Sequence, residues 1–392
     1  MDKIKLLSVL LFMFMFQGIS QHKNLVVEGI ITDKTKMTVP YASVSIAGKT
    51  VGTSSTEEGT FLLSIPNSYL EEILIISSLG FETYKIKISD FLNKKNKEIV
   101  LKESIVSLAT VELFDTKDYV KSALKKLKEN TVSSKHQLNV LYRRSSVEDG
   151  KSRFFVEHYI NLLDYGPLAE KYSKVQVQEG RKSADYRFIK KKQPIHAIHI
   201  MARSNPLRSG ISLKEYNWKK TGDTSYDDED IVIVEGRKKK YQKNFIRLFI
   251  GTDTYSIYKI ETSNLDAVYV YKKNKDGKMY LSYHNREWIS KAQVPEHLKR
   301  IMGNNIPKHI LVSYRHEAFV LGLQTQKEKI RIKKDLGYGT DMGDLNVDYH
   351  SEFWKNISLP PETKFFKKIK KELESNFGVP LEQQFKLANK LN

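Results

Sequence analysis

The sequence predicts a mainly β protein: a seven-stranded β-sandwich near the N-terminus, followed by a larger antiparallel β-rich α+β domain. Three observations predict it. Tyr and Phe number 21 and 18 in a chain of 392 residues, and such rings fit the pleated surface of a sheet. Apolar residues alternate with polar ones in short runs, the period of a half-buried strand. Glycine or Asp-Gly falls between the runs, where a tight reversal needs positive φ. The length suggests roughly two or three domains, and a hydrophobic content of 40% is enough to fill packed cores.

Residues 1–20 read as a secretory signal. Lys3 and Lys5 give a positive start, Leu6–Phe16 is apolar apart from Ser8, and Gly18 and Ser20 are the small residues before a cut ahead of Gln21. The apolar run is short for a membrane span, so an uncleaved anchor is the weaker alternative. The mature protein is then exported, to the periplasm or the outer membrane.

Residues 24–104 carry the first strand pattern. Ala42, Val44 and Ile46 share one face, as do Phe61, Leu63 and Ile65. Glu72–Ser78 is more continuously apolar, as a central strand should be, and Tyr84, Ile86 and Ile88 alternate again. Gly48, Gly52, Gly59 and Gly80 sit between these runs and are expected at turns.

Four stretches here carry a family resemblance. They are Val27-Glu28-Gly29-Ile30-Ile31-Thr32-Asp33, Val39-Pro40-Tyr41-Ala42-Ser43-Val44-Ser45-Ile46, Gly52-Thr53-Ser54-Ser55-Thr56-Glu57-Glu58-Gly59-Thr60-Phe61 and Ile76-Ser77-Ser78-Leu79-Gly80-Phe81. In order and spacing this segment resembles the carboxypeptidase-regulatory-like domain, the prealbumin-like β-sandwich common in the cell envelope of Bacteroidetes. The resemblance implies a fold and an envelope location. It implies no peptidase activity, because that accessory sandwich carries no catalytic residues. Residues 101–113 resemble the joint into the plug of a TonB-dependent receptor, but too little chain follows to build such a barrel.

Residues 115–359 are expected to form a β-rich domain of unknown function. Lys117–Asn130 reads as a helix, with Val120, Ala123, Leu124 and Leu127 on one stripe and Asn130 placed to close it. Strands follow at Leu138–Tyr142 and Phe154–Leu163 around Asp149-Gly150. Others are expected at Ile231–Val234, Phe245–Ile250, Tyr255–Ile260, Ala267–Tyr271 and Met279–Tyr283, the last two flanking Asp276-Gly277. Ile310–Tyr314 and Phe319–Leu323 read as another pair. The whole suggests a meander, with a helix against a curved sheet or half-barrel. The segments Val175–Ser183 and Phe353-Trp354-Lys355 resemble stretches that recur behind this sandwich in Bacteroidetes envelope proteins, with no activity attached. Residues 360–392 form a helical tail. In it Phe365, Phe366, Ile369 and Leu373 share a face opposite Lys367, Lys368, Lys370 and Lys371, so a peripheral membrane contact through this basic helix is one expectation.

Composition narrows the chemistry. Lys and Arg total 65 against 46 Asp and Glu, a net charge of +19. The excess is spread along the chain, as for solvated edges and loops, and an exported protein has little call on nucleic acid. There are no cysteines, which removes disulfides, thiolate metal sites, thiol nucleophiles and a lipid-anchored N-terminal cysteine.

Individual constellations are weak. His284 and Glu287 have the His-x-x-Glu spacing of zinc carboxypeptidases, but His284 falls in an expected strand. His297, His309, His316 and His350 follow closer than that family's third ligand. His196 and His199 would share a helical face without a placed carboxylate. Asp227–Asp230 is an acidic loop. Asp344, Asn346 and Asp348 begin a calcium-loop pattern that Tyr349 and Lys355 break. Trp218, Trp288 and Trp354 suit packing better than sugar stacking. No P-loop, dinucleotide or Gly-x-Ser-x-Gly pattern occurs. The expectation is a non-enzymatic exported envelope protein that binds a partner protein, a glycan or a lipid, without catalytic, cofactor or metal residues. The alternatives are a hydrolase acting on peptide or glycan, and a periplasmic lipid carrier with a cavity under the helix Lys117–Asn130.

Overall fold

In the computed structural model, residues 24–49, 51–104, 115–190, 196–227, 229–263, 266–302, 307–337, 339–357 and 359–388 are described. The expected signal segment and the joint after residue 104 lie outside them.

The N-terminal unit is a sandwich of two antiparallel-rich sheets. One has three strands in the order β4-β1-β7 and the other four in the order β3-β2-β5-β6. Their ranges are β1 Asn24–Thr32, β2 Ser43–Ile46, β3 Gly52–Ser54, β4 Thr60–Pro66, β5 Ile73–Ser77, β6 Tyr84–Lys87 and β7 Glu98–Val100, with helix α1 at Ile88–Asn93. Period-2 alternation does the folding. Val27, Ile31, Phe61, Leu63 and Ile65 point inward from one sheet, and Ala42, Val44, Ile46, Leu74 and Ile76 meet them from the other. Ile88 starts α1 rather than extending β6, and its side chain is still buried in this core.

Gly48, Gly59 and Gly80 have positive φ, as expected. Gly52 does not. It lies inside β3, where a Cβ would stand 2.8 Å from the Val44 carbonyl and 3.2 Å from Lys272 Nζ. Its role is close approach, which a sequence pattern cannot tell from a turn.

The second unit is one ten-stranded antiparallel sheet in the order β10-β9-β8-β17-β16-β15-β14-β13-β12-β11. The strands are β8 His136–Glu148, β9 Lys151–Asp164, β10 Lys174–Lys182, β11 Tyr216–Tyr226, β12 Glu229–Lys238, β13 Phe245–Gly251, β14 Ile257–Thr262, β15 Ala267–Lys273, β16 Met279–Gln293 and β17 His309–Gln324. It is a meander with one jump. The chain leaves the β10 edge, crosses a face through helices α3 (Ala197–Ser204) and α4 (Pro206–Ser209), and re-enters at the opposite edge as β11. Asp149 and Gly150, both at positive φ, make the two-residue reversal between β8 and β9.

Two expectations change here. Ile310–Tyr314 and Phe319–Leu323 are halves of one strand, β17. The residues between them, Arg315, His316 and Glu317, interrupt the apolar pattern but are largely or fully buried. Helix α2 (Thr116–Asn130) does form, N-capped by Asp115. It is not closed by Asn130, however, whose amide donates to the Thr254 carbonyl at 2.7 Å. Thr131 ends the helix, its Oγ1 donating to the Leu127 carbonyl at 2.6 Å.

The sheet's two faces have different coverings. Val120, Ala123 and Leu127 of α2 and Ile198, Met201 and Ala202 of α3 pack onto one, in a single apolar core that runs from Val175 on β10 to Ile231 on β12. Helix α5 (Glu296–Met302) connects β16 to β17, and the other face carries the sandwich and the C-terminal helices α6 (Ser351–Asn356), α7 (Lys364–Phe377) and α8 (Leu381–Ala388). On α7, N-capped by Thr363, the apolar stripe Phe366, Ile369 and Leu373 is buried against Phe155, and Lys367, Lys368 and Lys371 face water. The face that a membrane would need is therefore occupied by the protein's own core. Among the described residues no helix is long and apolar enough to cross a membrane.

A candidate ligand cavity between the sandwich and the sheet

The sandwich seats on β16 and β17. Val51 forms an antiparallel bridge with Gly322. Gly80 N–H donates to the Ser225 carbonyl at 2.7 Å. Tyr41 stacks on Tyr283 with ring centroids 4.5 Å apart. A charged chain reinforces the seat. Glu157, fully buried, accepts from Arg143 at 3.1 Å and from Arg181 at 2.6 Å. Arg315 reaches both Glu317 and the sandwich residue Glu57 at 2.9 Å. Burial opposes ionisation of Glu157, yet Arg181 and Arg143 together hold its carboxyl below the usual range.

Beside this seat lies a cavity of about 260 Å³. The sandwich lines it with Val39, Pro40, Tyr41 and Phe81; the sheet lines it with Tyr226, Tyr258, Val270, Tyr271 and Lys272. Apolar and aromatic walls with a few polar groups are the usual composition of a small-molecule site. The phenols in it are mostly engaged. Tyr258 donates to Glu229 at 2.5 Å, and Tyr226 hydrogen-bonds with Ser77 and Ser43.

Lys272 is the exception. It is 5% exposed, and among the described residues no carboxylate pairs with it. Its Nζ lies over the face of the Tyr280 ring, 5.4 Å from the centroid. Burial alone pushes its ammonium down to about pKa 8. Both sheet faces are covered here, so consecutive Tyr271 and Lys272 are both buried: the Tyr271 hydroxyl bonds Asn205 beside α4, Lys272 Nζ lies toward Gly52 of the sandwich, and burial along β15 does not follow the alternation by which a strand is read. The only sequence signal was a lysine between Tyr271 and Lys273.

The constellations weighed in the sequence fall elsewhere. His284 is buried in β16 and stacks on Tyr269 at 4.3 Å, whereas Glu287 accepts from Ser313 at 2.8 Å. His196 caps α3, and its Nε2 lies 3.0 Å from His158 Nδ1, a pairing across 38 residues that no spacing could announce. Glu229 of the acidic loop is satisfied by Thr254 and Tyr258, and Asp227 accepts from Thr83 at 3.1 Å. Among the described residues no group of three or more His, Asp or Glu is arranged to hold a metal. Trp354 is buried beneath Arg181, and Trp288 stacks on Tyr314 at 4.8 Å. Trp218 lies against Gly236, where a Cβ would meet its ring.

The fold thus defines a β-sandwich joined to a large antiparallel α+β sheet. Residues 27–113 match the family model of the CarboxypepD_reg-like domain, and the sandwich is such a domain. No curated protein matches the chain by sequence. Three solved structures align with it at a distance. A DUF1329 family protein from Desulfovibrio piger has 11% identity and a TM-score of 0.25 over 56% of this chain and 96% of its own. A putative outer membrane lipoprotein-sorting protein domain from Vibrio parahaemolyticus has 9% identity and a TM-score of 0.24 over 55% of this chain and 93% of its own. A LolA superfamily protein from Nitrosomonas europaea has 14% identity and a TM-score of 0.19 over 54% of this chain and 97% of its own. Likenesses this remote assign neither a fold family nor a ligand.

Proposed function

We propose that this chain is an exported, non-enzymatic binding protein of the cell envelope, and that its ligand sits in the cavity between the sandwich and the sheet. On this reading residues 1–20 are removed on export, residues 24–104 and 115–359 are the two units that enclose the ligand, and the helical tail that begins at residue 360 packs beside the sandwich on the same face of the sheet. The ligand has an apolar body that lies against Tyr226, Tyr258 and Val270 and an anionic or strongly accepting group for Lys272. A neutral glycan lacks the anionic group for Lys272 that a lipid-like or aromatic acid supplies.

Buried Lys272 without an acidic partner is the observation that carries this reading. An isolated ammonium out of water costs several kcal/mol, and a bound acceptor relieves that cost. Catalysis is not favoured, because Ser43 and Ser77 of the cavity hydrogen-bond to the Tyr226 phenol and Ser282 to the Val270 carbonyl, none of these three to a base.

The test is native mass spectrometry of mature protein purified from its own envelope fractions, alongside Lys272→Met. A stoichiometric acidic amphiphile on the wild type, lost from the variant, is expected. Wild type and variant that both emerge free of small molecules, and are captured only with other envelope proteins, would overturn the cavity reading.

A further inference from the structure

A second set of buried polar groups lies on the sheet face turned away from the sandwich. Tyr283 faces the sandwich, so His284 and Arg286, of opposite parity on β16, face α3 and the core below it. The antiparallel register sets Arg286 directly opposite His316 on β17 and His316 directly opposite Arg144 on β8. The neighbouring row sets Tyr269 on β15 opposite His284. Directly opposed residues place their side chains about 5 Å apart, so these five form one patch.

All five side chains are at least nine-tenths buried, with Arg286 3% and Arg144 1% exposed. Their hydrogen-bond capacity is conspicuously unfilled. Arg144 Nη2 donates to Asp341 at 3.0 Å, but its Nε and Nη1 have no partner. His316 Nδ1 lies 2.6 Å from the Tyr142 hydroxyl and His284 Nδ1 donates to the Val268 carbonyl at 2.9 Å, and both leave Nε2 unpartnered. The Tyr269 hydroxyl is unpartnered as well. Arg286 has an unpartnered Nε and no carboxylate paired with it among the described residues; its Cζ lies 4.9 Å from the centroid of the Trp288 ring.

Charge makes the argument. A guanidinium cannot shed its proton to escape burial as a lysine can. Two of them flank His316, and among the described residues the one carboxylate paired with either is Asp341, on Arg144. Buried polar groups are almost always satisfied in folded proteins, so five side chains with unpaired donors or lone pairs in one patch are suited to hold the oxygens of a ligand.

We propose that this patch is an oxyanion site, in which Arg286 and Arg144 grip a phosphate or phosphate-ester group and His316 Nε2 and Tyr269 supply further hydrogen bonds. The guanidinium fork matches such oxygens two at a time. The group comes either from free inorganic phosphate or from the head group of a phospholipid. The site is on the opposite face from the Lys272 cavity and stands or falls independently of it.

The test uses the full mature chain. Its melting temperature and the ³¹P line width of inorganic phosphate are followed as phosphate replaces chloride at constant ionic strength. A saturable rise in melting temperature with line broadening is expected, as for any ligand of the native state. Arg286→Met should abolish both, and Arg286→Lys should weaken binding at least about tenfold by losing the fork. Competition by a soluble short-chain phosphatidylglycerol separates the sources. Displacement of phosphate by the lipid assigns a head-group site, and phosphate binding without displacement assigns the free anion. A wild type that responds to neither phosphate nor the lipid overturns the proposal, as does an Arg286→Met protein that responds like wild type. If that variant fails to fold, the wild-type titrations and Arg286→Lys still decide.

Discussion

Tyr41 of the sandwich lies nearly parallel to Tyr283 of the sheet, ring centroids 4.5 Å apart and planes 20° from parallel. Tyr41 holds φ at 58°, a left-handed conformation that costs a residue with a side chain about 1–2 kcal/mol. The junction bears that strain and gains a stacked pair, with Asn285 Nδ2 3.3 Å from the Tyr41 hydroxyl. In a double-mutant cycle followed by urea unfolding, Tyr41→Ala and Tyr283→Ala should couple by about 1 kcal/mol. Strict additivity would show that the rings do not support one another.

The buried carboxylate that joins two arginines should matter far more than any surface pair. Glu157→Gln leaves Arg143 and Arg181 facing each other with half their charge compensation gone. A loss of about 3–5 kcal/mol is expected. Removing the exposed pair Lys87–Glu71, 3.1 Å apart, should change stability by less than about 1 kcal/mol. Equal losses in chemical denaturation would contradict the burial argument.

Lys272 predicts an alkaline signature. Its amine titrates near 10.5 in the unfolded chain and near 8 in the fold. Between those values the unfolded state binds more protons, so this group's contribution to stability rises with pH across the window. Below pH 8 the penalty is complete, on the order of 3 kcal/mol. Ligand-free Lys272→Met should exceed wild type in stability at pH 7, and the gap should close by about pH 10.5. A gap independent of pH would mean that the amine is solvated.

The buried histidines predict the opposite end of the scale. Burial, with Arg144 and Arg286 nearby, pushes His158 and His284 down to about 3 from 6.5, and His196 and His316 fall in the same direction. The unfolded chain takes up protons below pH 6.5 that the fold refuses, so stability falls as pH drops through that window. The loss should reach on the order of 2 kcal/mol per histidine at pH 5. His284→Phe should flatten the wild-type slope of melting temperature between pH 7 and 5, and an unchanged slope would place the titration elsewhere.

Two turn glycines separate backbone strain from collision. Gly48 and Gly59 have φ of +67° and +71°, but a Cβ on Gly48 meets nothing within 4 Å, whereas on Gly59 it runs into the Ile31 carbonyl. Gly48→Ala should cost about 1 kcal/mol and Gly59→Ala clearly more, read from thermal melts of both variants. Equal costs would show that the turn shifts to make room.

Much of the fold was legible because one-sided burial writes a period into the chain. Ala42, Val44 and Ile46, or Phe61, Leu63 and Ile65, announce both a strand and the face it buries. The stripe Val120, Ala123, Leu127 does the same for α2, and Phe366, Ile369, Leu373 for α7. The period failed where buried residues are polar. Arg315, His316 and Glu317 split one strand into two readings, because a pattern of hydrophobicity cannot register a charge that is buried and paired. Strand β11, with a weaker pattern, was not anticipated.

The sites were hidden for a related reason. The sequence by itself determined the architecture, the inward faces of most strands, the absence of thiol chemistry and the sandwich's kinship, all of which rest on residues close together in the chain. Only the tertiary structure decided that Lys272 lies in a cavity wall, that His196 meets His158, and that Arg286, His316 and Arg144 stand in one row. Strand register and a jump from one sheet edge to the other set those neighbours, and they join residues up to 172 positions apart. Register is settled by the summed packing of the whole sheet, which no local pattern records.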